Sequence, residues 1–70
     1  MNNAALVKKL QATSLRFMRR EIAILSIDDN SEKGKLWNSL RRERNKQYRL
    51  LFNALLKRGI EPSSIPIFEL

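Results

Sequence analysis

Apolar positions recur through most of this chain at the spacing of an α-helix, in two long blocks separated by a short polar stretch. The first block runs from about Asn3 to Leu25. At about 100° per residue, Val7, Leu15, Met18, Ile22 and Leu25 share one stripe, and Leu6, Leu10, Phe17 and Ile24 share a second, about 100° round from it. The apolar surface therefore takes about half of the helix circumference. One neighbouring helix covers one stripe, so the other needs a further helix, the tail or a second subunit. Asn2 or Asn3 offers a short side-chain oxygen to cap the first backbone N–H groups.

The interruption reads Ser26-Ile27-Asp28-Asp29-Asn30-Ser31. Asp, Asn and Ser hydrogen-bond nearby backbone in non-helical conformations, so this stretch predicts a turn, with Asn30 or Ser31 capping the next helix. Glu32 then sits in the first turn, where a negative charge suits the helix dipole, and Gly34 weakens that turn. The second helix is expected over about 31–58. Its stripe is Trp37, Leu40, Tyr48, Leu51 and Leu55, flanked by Leu36, Phe52 and Leu56. Its end is strongly marked. Lys57 and Arg58 fill the last turn, Gly59 fits a left-handed position, Ile60 folds back on Leu55, and Pro62 blocks continuation.

The remaining stretch, 60–70, predicts an extended apolar tail. Pro62 and Pro66 disfavour helix, and Ile65, Ile67, Phe68 and Leu70 are large and apolar. Its bland role is to pack over the open side of the helices. Its sharper role is to dock a partner. The fold class is therefore all-α: a two-helix antiparallel hairpin with a C-terminal tail, in one small domain over 1–70. Heptad-like spacing and a short connection favour dimerisation into a four-helix bundle, through the second stripe of the first helix. A single continuous coiled-coil rod is the alternative.

Composition narrows the chemistry. The 70 residues include no cysteine and no histidine, which removes disulfides, thiolate metal sites, the commonest general base and the commonest metal ligand. Gly34 and Gly59 are the only glycines, so no glycine-rich phosphate loop exists. No enzyme activity, cofactor or metal is expected. The first residues lack the apolar core of a signal peptide, and the longest apolar run, Ile22 to Leu25, is far too short to span a membrane. A cytoplasmic location is the default expectation.

Charge supplies the positive signal. Fourteen Lys+Arg against seven Asp+Glu give +7, which favours an anionic partner. From Lys33 to Arg49 there are seven cations and one acid, Glu43. Like charges one turn apart destabilise a helix, and a face kept only for solubility normally mixes signs. Lys35, Arg42, Lys46, Arg49 and Lys57 share one outward face opposite Trp37, with Asn53 among them. Lys9, Arg16, Arg19 and Arg20 lie on the polar face of the first helix. A hairpin folded about Asp29 brings Arg16 and Arg19 level with roughly residues 39 to 44 and gathers both sets into one band.

These residues suggest a small non-catalytic regulator that binds RNA or duplex DNA. Arg16, Arg19, Arg20, Lys35, Arg42, Lys46 and Arg49 are the phosphate contacts, since a guanidinium fork matches phosphate oxygens. Arg41 and Asn45 are the candidates for base edges. The competing reading is an adaptor or inhibitor that docks an acidic protein surface, with Ile65, Ile67, Phe68 and Leu70 as an apolar anchor. Arg44 falls on the apolar stripe between Leu40 and Tyr48; the expected solution is a stem laid along the core with its head snorkelling to water or paired with Glu21, and the alternative is a gap in the core where the basic band enters a groove. Trp37, Tyr48 and Phe52 lie on or near the same stripe, so core positions are favoured over base-stacking platforms. A helix-turn-helix reading of Leu55 to Ile65 fails on Pro62 and Pro66. Binding to a lipid surface through an amphipathic helix is disfavoured, because the two apolar faces cover each other.

Overall fold

Asn2 begins the first helix in the computed structural model, which describes residues 2–66. Its backbone is extended, and its side-chain oxygen accepts the Ala5 N–H at 2.7 Å. Helix α1 then runs Asn3–Leu25. At its far end the Ser26 hydroxyl donates to the Ile22 carbonyl at 3.2 Å, and the Ile27 N–H reaches the Ile24 carbonyl at 3.1 Å.

Helix α2 runs Asn30–Lys57. Its cap is Asp29, rather than Asn30 or Ser31. The Asp29 carboxylate accepts the N–H groups of Ser31 and Glu32 at 2.9 and 3.1 Å. A charged acceptor is favoured here over a neutral one, because it meets both the orphan donors and the positive end of the dipole. The helix continues unbroken through Gly34. Its end follows the expected pattern. Gly59 takes φ +74°, its N–H bonds to the Leu56 carbonyl at 3.0 Å, and the Ile60 N–H reaches back to the Leu55 carbonyl at 3.0 Å. Those two bonds satisfy carbonyls that the helix leaves free.

The described part of the tail is not wholly extended. Pro62–Ser64 form one turn of 3₁₀ helix. Pro62 suits its first position because the missing N–H is not needed there. The Ser64 hydroxyl donates to the Glu61 carbonyl at 2.7 Å and holds the turn. Ile65 then becomes extended, as a residue before proline prefers. Its side chain is buried with Leu6, Leu10, Leu51 and Leu55. The Gln11 side chain donates to the Pro66 carbonyl at 3.0 Å and ties the tail to α1. The expectations placed on Ile67, Phe68 and Leu70 lie outside the described residues.

The two helices pack antiparallel as a hairpin, with no continuous rod. Their register is set by pairs that cross the interface: Arg20 with Glu43, Glu21 with Arg44, Phe17 with Tyr48, and Asn3 with Arg58. Arg16 therefore stands level with about residue 48 and Arg19 with about residue 45, farther along α2 than a fold about Asp29 implies. The first turns of α2 project past the end of α1, and residues 30–36 there are mostly exposed.

Against expectation, the stripe of α1 that faces α2 is the second one. Leu6, Leu10, Phe17 and Ile24 are buried, together with the small polar Thr13 and Ser14. They pack in two clusters. Leu6 and Leu10 meet Leu51, Leu55 and Ile65 near the tail, and Phe17 and Ile24 meet Leu40 near the turn. Of the first stripe, Val7 packs against the tail-end cluster and Leu15 and Met18 are half-buried, while Ile22 and Leu25 are left 48% and 56% exposed. The second stripe, expected to carry a dimer interface, is instead covered by α2 and the tail. Among the described residues no helix is long and apolar enough to cross a membrane.

Candidate functional site

The site is built from helix faces, so its geometry follows from register. Two ion pairs cross the hairpin. Arg44 donates to Glu21, both partly buried, which brings the head of Arg44 to a carboxylate at the core edge as the sequence implied. Arg20 Nη1 lies 2.9 Å from Glu43 Oε2, with both side chains nearly half exposed. These pairs use both carboxylates in the middle of the hairpin. Arg16, Arg19, Arg41, Arg42, Lys46 and Arg49 are all exposed and have no carboxylate partner within 4 Å among the described residues. The remaining described acids are Asp28, Asp29 and Glu32 at the turn and Glu61 near the tail. The long axis, 43 Å, thus carries acids at its ends and uncompensated cations along its middle.

The cations do not form one band. The Arg20–Glu43 pair marks one flank of the hairpin. Helical periodicity places Lys9 and Arg16 of α1 on that flank, with Lys46 and Lys57 of α2 at its outer edge. Ile27, Leu36 and Ser39 line its turn end, beside Arg20 and Ala23. The opposite flank is marked by Leu25, Trp37 and Asn38, which line a shallow groove with Asn30, Lys33 and Gly34. Arg41 and Asn45 share that second flank, so the two candidates for base contacts are separated from Arg16 and Arg20 by the width of the hairpin. Lys35, Arg42 and Arg49 project from the outer face of α2, and Arg19 from the outer face of α1.

Aromatic rings stiffen the centre of the site from below. Phe17 is 1% exposed, edge-on to Tyr48 with centroids 6.0 Å apart, and Tyr48 stacks on Phe52 at 5.6 Å. The guanidinium carbons of Arg16 and Arg20 lie 5.8 and 5.6 Å from the Phe17 centroid. A cation held over a ring face loses less freedom when it meets an anion.

The tail residue Ile65 is part of the core, where it packs on both helices. Lys9 and Lys57, weighed above only as members of polar faces, join the cationic flank because of the register. Glu43 is the feature of greatest consequence that sequence reasoning undervalued. It is the single acid among the cations of 33–49, and that isolation was its visible signal. No family model matches the chain, and no curated protein or solved structure proved similar to it.

Proposed function

We propose that this protein is a small, non-catalytic nucleic-acid-binding regulator that grips phosphates through its cationic flank and the outer face of α2. One observation carries the reading: six central cations lack a carboxylate partner among the described residues, on a rigid two-helix scaffold whose nearby acids are already engaged. Crowding like charges on the middle of so small a hairpin costs folding free energy, and an anionic ligand recovers it. Arg16, Arg20, Lys35, Arg42, Lys46 and Arg49 are the phosphate contacts, with Arg19 behind them on α1. The cytoplasm, where nucleic acid is met, is the compartment that suits this role.

The reading includes a homodimer. Met18, Ile22 and Leu25 fall on the flank opposite the Arg20–Glu43 pair, with Ile22 and Leu25 exposed and Leu25 beside Trp37 across the hairpin. A second copy that covers them leaves the cationic flank of each protomer facing outward.

The test pairs one residue from each helix. Arg16→Ala combined with Lys46→Ala removes two exposed cations and leaves every buried side chain in place. Binding to labelled nucleic acid is expected to weaken by at least about tenfold, and the slope of log K against log salt to fall by about two. Unchanged binding in a folded variant sinks the proposal.

A further inference from the structure

The geometry points to a double-stranded ligand for this cationic flank, laid along the hairpin over about one helical turn; this rests on the nucleic-acid reading above. Three observations support it. First, the rings are engaged. Phe17 is buried, Tyr48 lies between Phe17 and Phe52, and Trp37 packs against the Phe17–Ile24–Leu40 cluster. Recognition of single strands relies on bases stacked against exposed rings, and among the described residues no open ring lies with the cations of this flank.

Second, the cations form two straight rows. Lys35, Lys46 and Lys57 follow each other at intervals of eleven residues along α2. Eleven residues are close to three full helical turns, so the three positions keep nearly one face at steps of about 16 Å and span about 33 Å in all. The other row, Lys9, Arg16 and Arg20, spans about 16 Å on α1 and, at the register set by the Arg20–Glu43 pair, runs beside the Lys46–Lys57 half of the first. A span of about 33 Å is close to the roughly 34 Å of one duplex turn. Duplex nucleic acid is straight over that distance, because its persistence length is many times larger, whereas a single strand must first be stretched to match a rigid row.

Third, the strip between the rows presents Leu36 and Leu50, 40% and 58% exposed, with Ala54 beside them. These side chains offer no hydrogen bond to a phosphate, and Glu43, 48% exposed in the same strip, repels one, so attractive charge contact is confined to the two rows. A duplex supplies two lines of phosphates on either side of a groove, and a single strand supplies one. Duplex DNA and duplex RNA share this chemistry, so both belong in the test.

The experiment is fluorescence anisotropy of the full chain with labelled DNA duplexes and RNA duplexes of 6, 12, 18 and 24 base pairs, and with single strands of the same lengths, at one salt concentration. Duplexes are expected to bind at least about tenfold tighter than single strands of equal length. Affinity should rise steeply from 6 to 12 base pairs and then only with the number of overlapping sites. Lys35→Ala with Lys57→Ala, at exposed positions that leave the core intact, should weaken 12 and 18 base pairs but spare 6. Whichever duplex binds tighter names the form preferred. Single strands bound as tightly as duplexes, or the double variant weakening all lengths alike, would overturn the inference while leaving phosphate binding intact. No binding to any of these ligands would overturn both.

Discussion

Two glutamates on this hairpin carry the same charge and do opposite work. Glu21 sits at the core edge, with its side chain 14% exposed, and neutralises Arg44, which is itself 33% exposed. Removing its charge leaves a partly buried guanidinium without a counter-ion. Glu21→Gln is therefore expected to destabilise the fold by about 1–2 kcal/mol, below the cost of a fully buried pair because water still reaches Arg44. Glu43 is 48% exposed, and its pair with Arg20 is screened by solvent. Glu43→Gln should cost less than about 0.5 kcal/mol. Urea titration of the two variants checks the contrast, and equal losses would contradict it. The Arg44–Glu21 pair also shows how much was legible. Arg44 on an apolar stripe offered a snorkelling head, a pair with Glu21 or a gap in the core, and the pair formed because Glu21 lies at the edge of the second stripe of α1. Taken seriously, that pair fixes both the face and the register of the hairpin. Apolarity alone could not, because both stripes of α1 are equally apolar.

At the scale of elements, the boundaries were the most legible part of the fold. Gly59, Ile60 and Pro62 end α2 where the sequence placed its end, because a left-handed residue and the two returning N–H bonds leave little freedom. The cap is Asp29, one or two residues before the expected Asn30 or Ser31, since Asp28 to Ser31 are all good caps and the choice depends on where the loop from α1 arrives. The turn at Pro62–Ser64 was hidden for a similar reason: two prolines speak against α-helix but permit a single 3₁₀ turn. The two glycines predict opposite signs. A Cβ at either meets nothing within 4 Å. Gly34 lies inside α2, so Gly34→Ala should stabilise by about 0.5–1 kcal/mol. Gly59 holds φ +74°, so Gly59→Ala should destabilise by about 1 kcal/mol or more. Thermal melts followed by circular dichroism measure both shifts, and a stabilising Gly59→Ala would refute the account of the cap.

For the molecule as a whole, 70 residues build a small core, and the tail supplies part of it. Ile65 is 8% exposed among four leucines, so Ile65→Ala should cost about 2–3 kcal/mol, a large share of the stability of so small a domain. Denaturant unfolding monitored by Trp37 fluorescence would show it, and a loss under about 0.5 kcal/mol would mean that the tail does not contribute to folding. The exposed row of α1 belongs to the same scale. Ile22→Glu with Leu25→Glu should convert a dimer to a monomer in sedimentation equilibrium with little loss of helix, and an unchanged mass would remove the proposed interface. The division of the cations between two flanks was not legible in the sequence. Helix faces can be read from spacing, but which flank of α1 lies beside which flank of α2 depends on the handedness and register of packing.

The most direct test of the central claim is the salt dependence of binding to an 18-base-pair duplex, measured for the native chain and for Glu43→Gln. Six cations in the two rows imply a slope of log K against log salt of about −5. Loss of the one carboxylate that the described residues place on that flank should tighten binding by about fivefold at low salt, because it removes a repulsion and frees Arg20. A native chain that ignores the duplex at about 150 mM salt, or a Glu43→Gln variant that binds no better, would contradict the account.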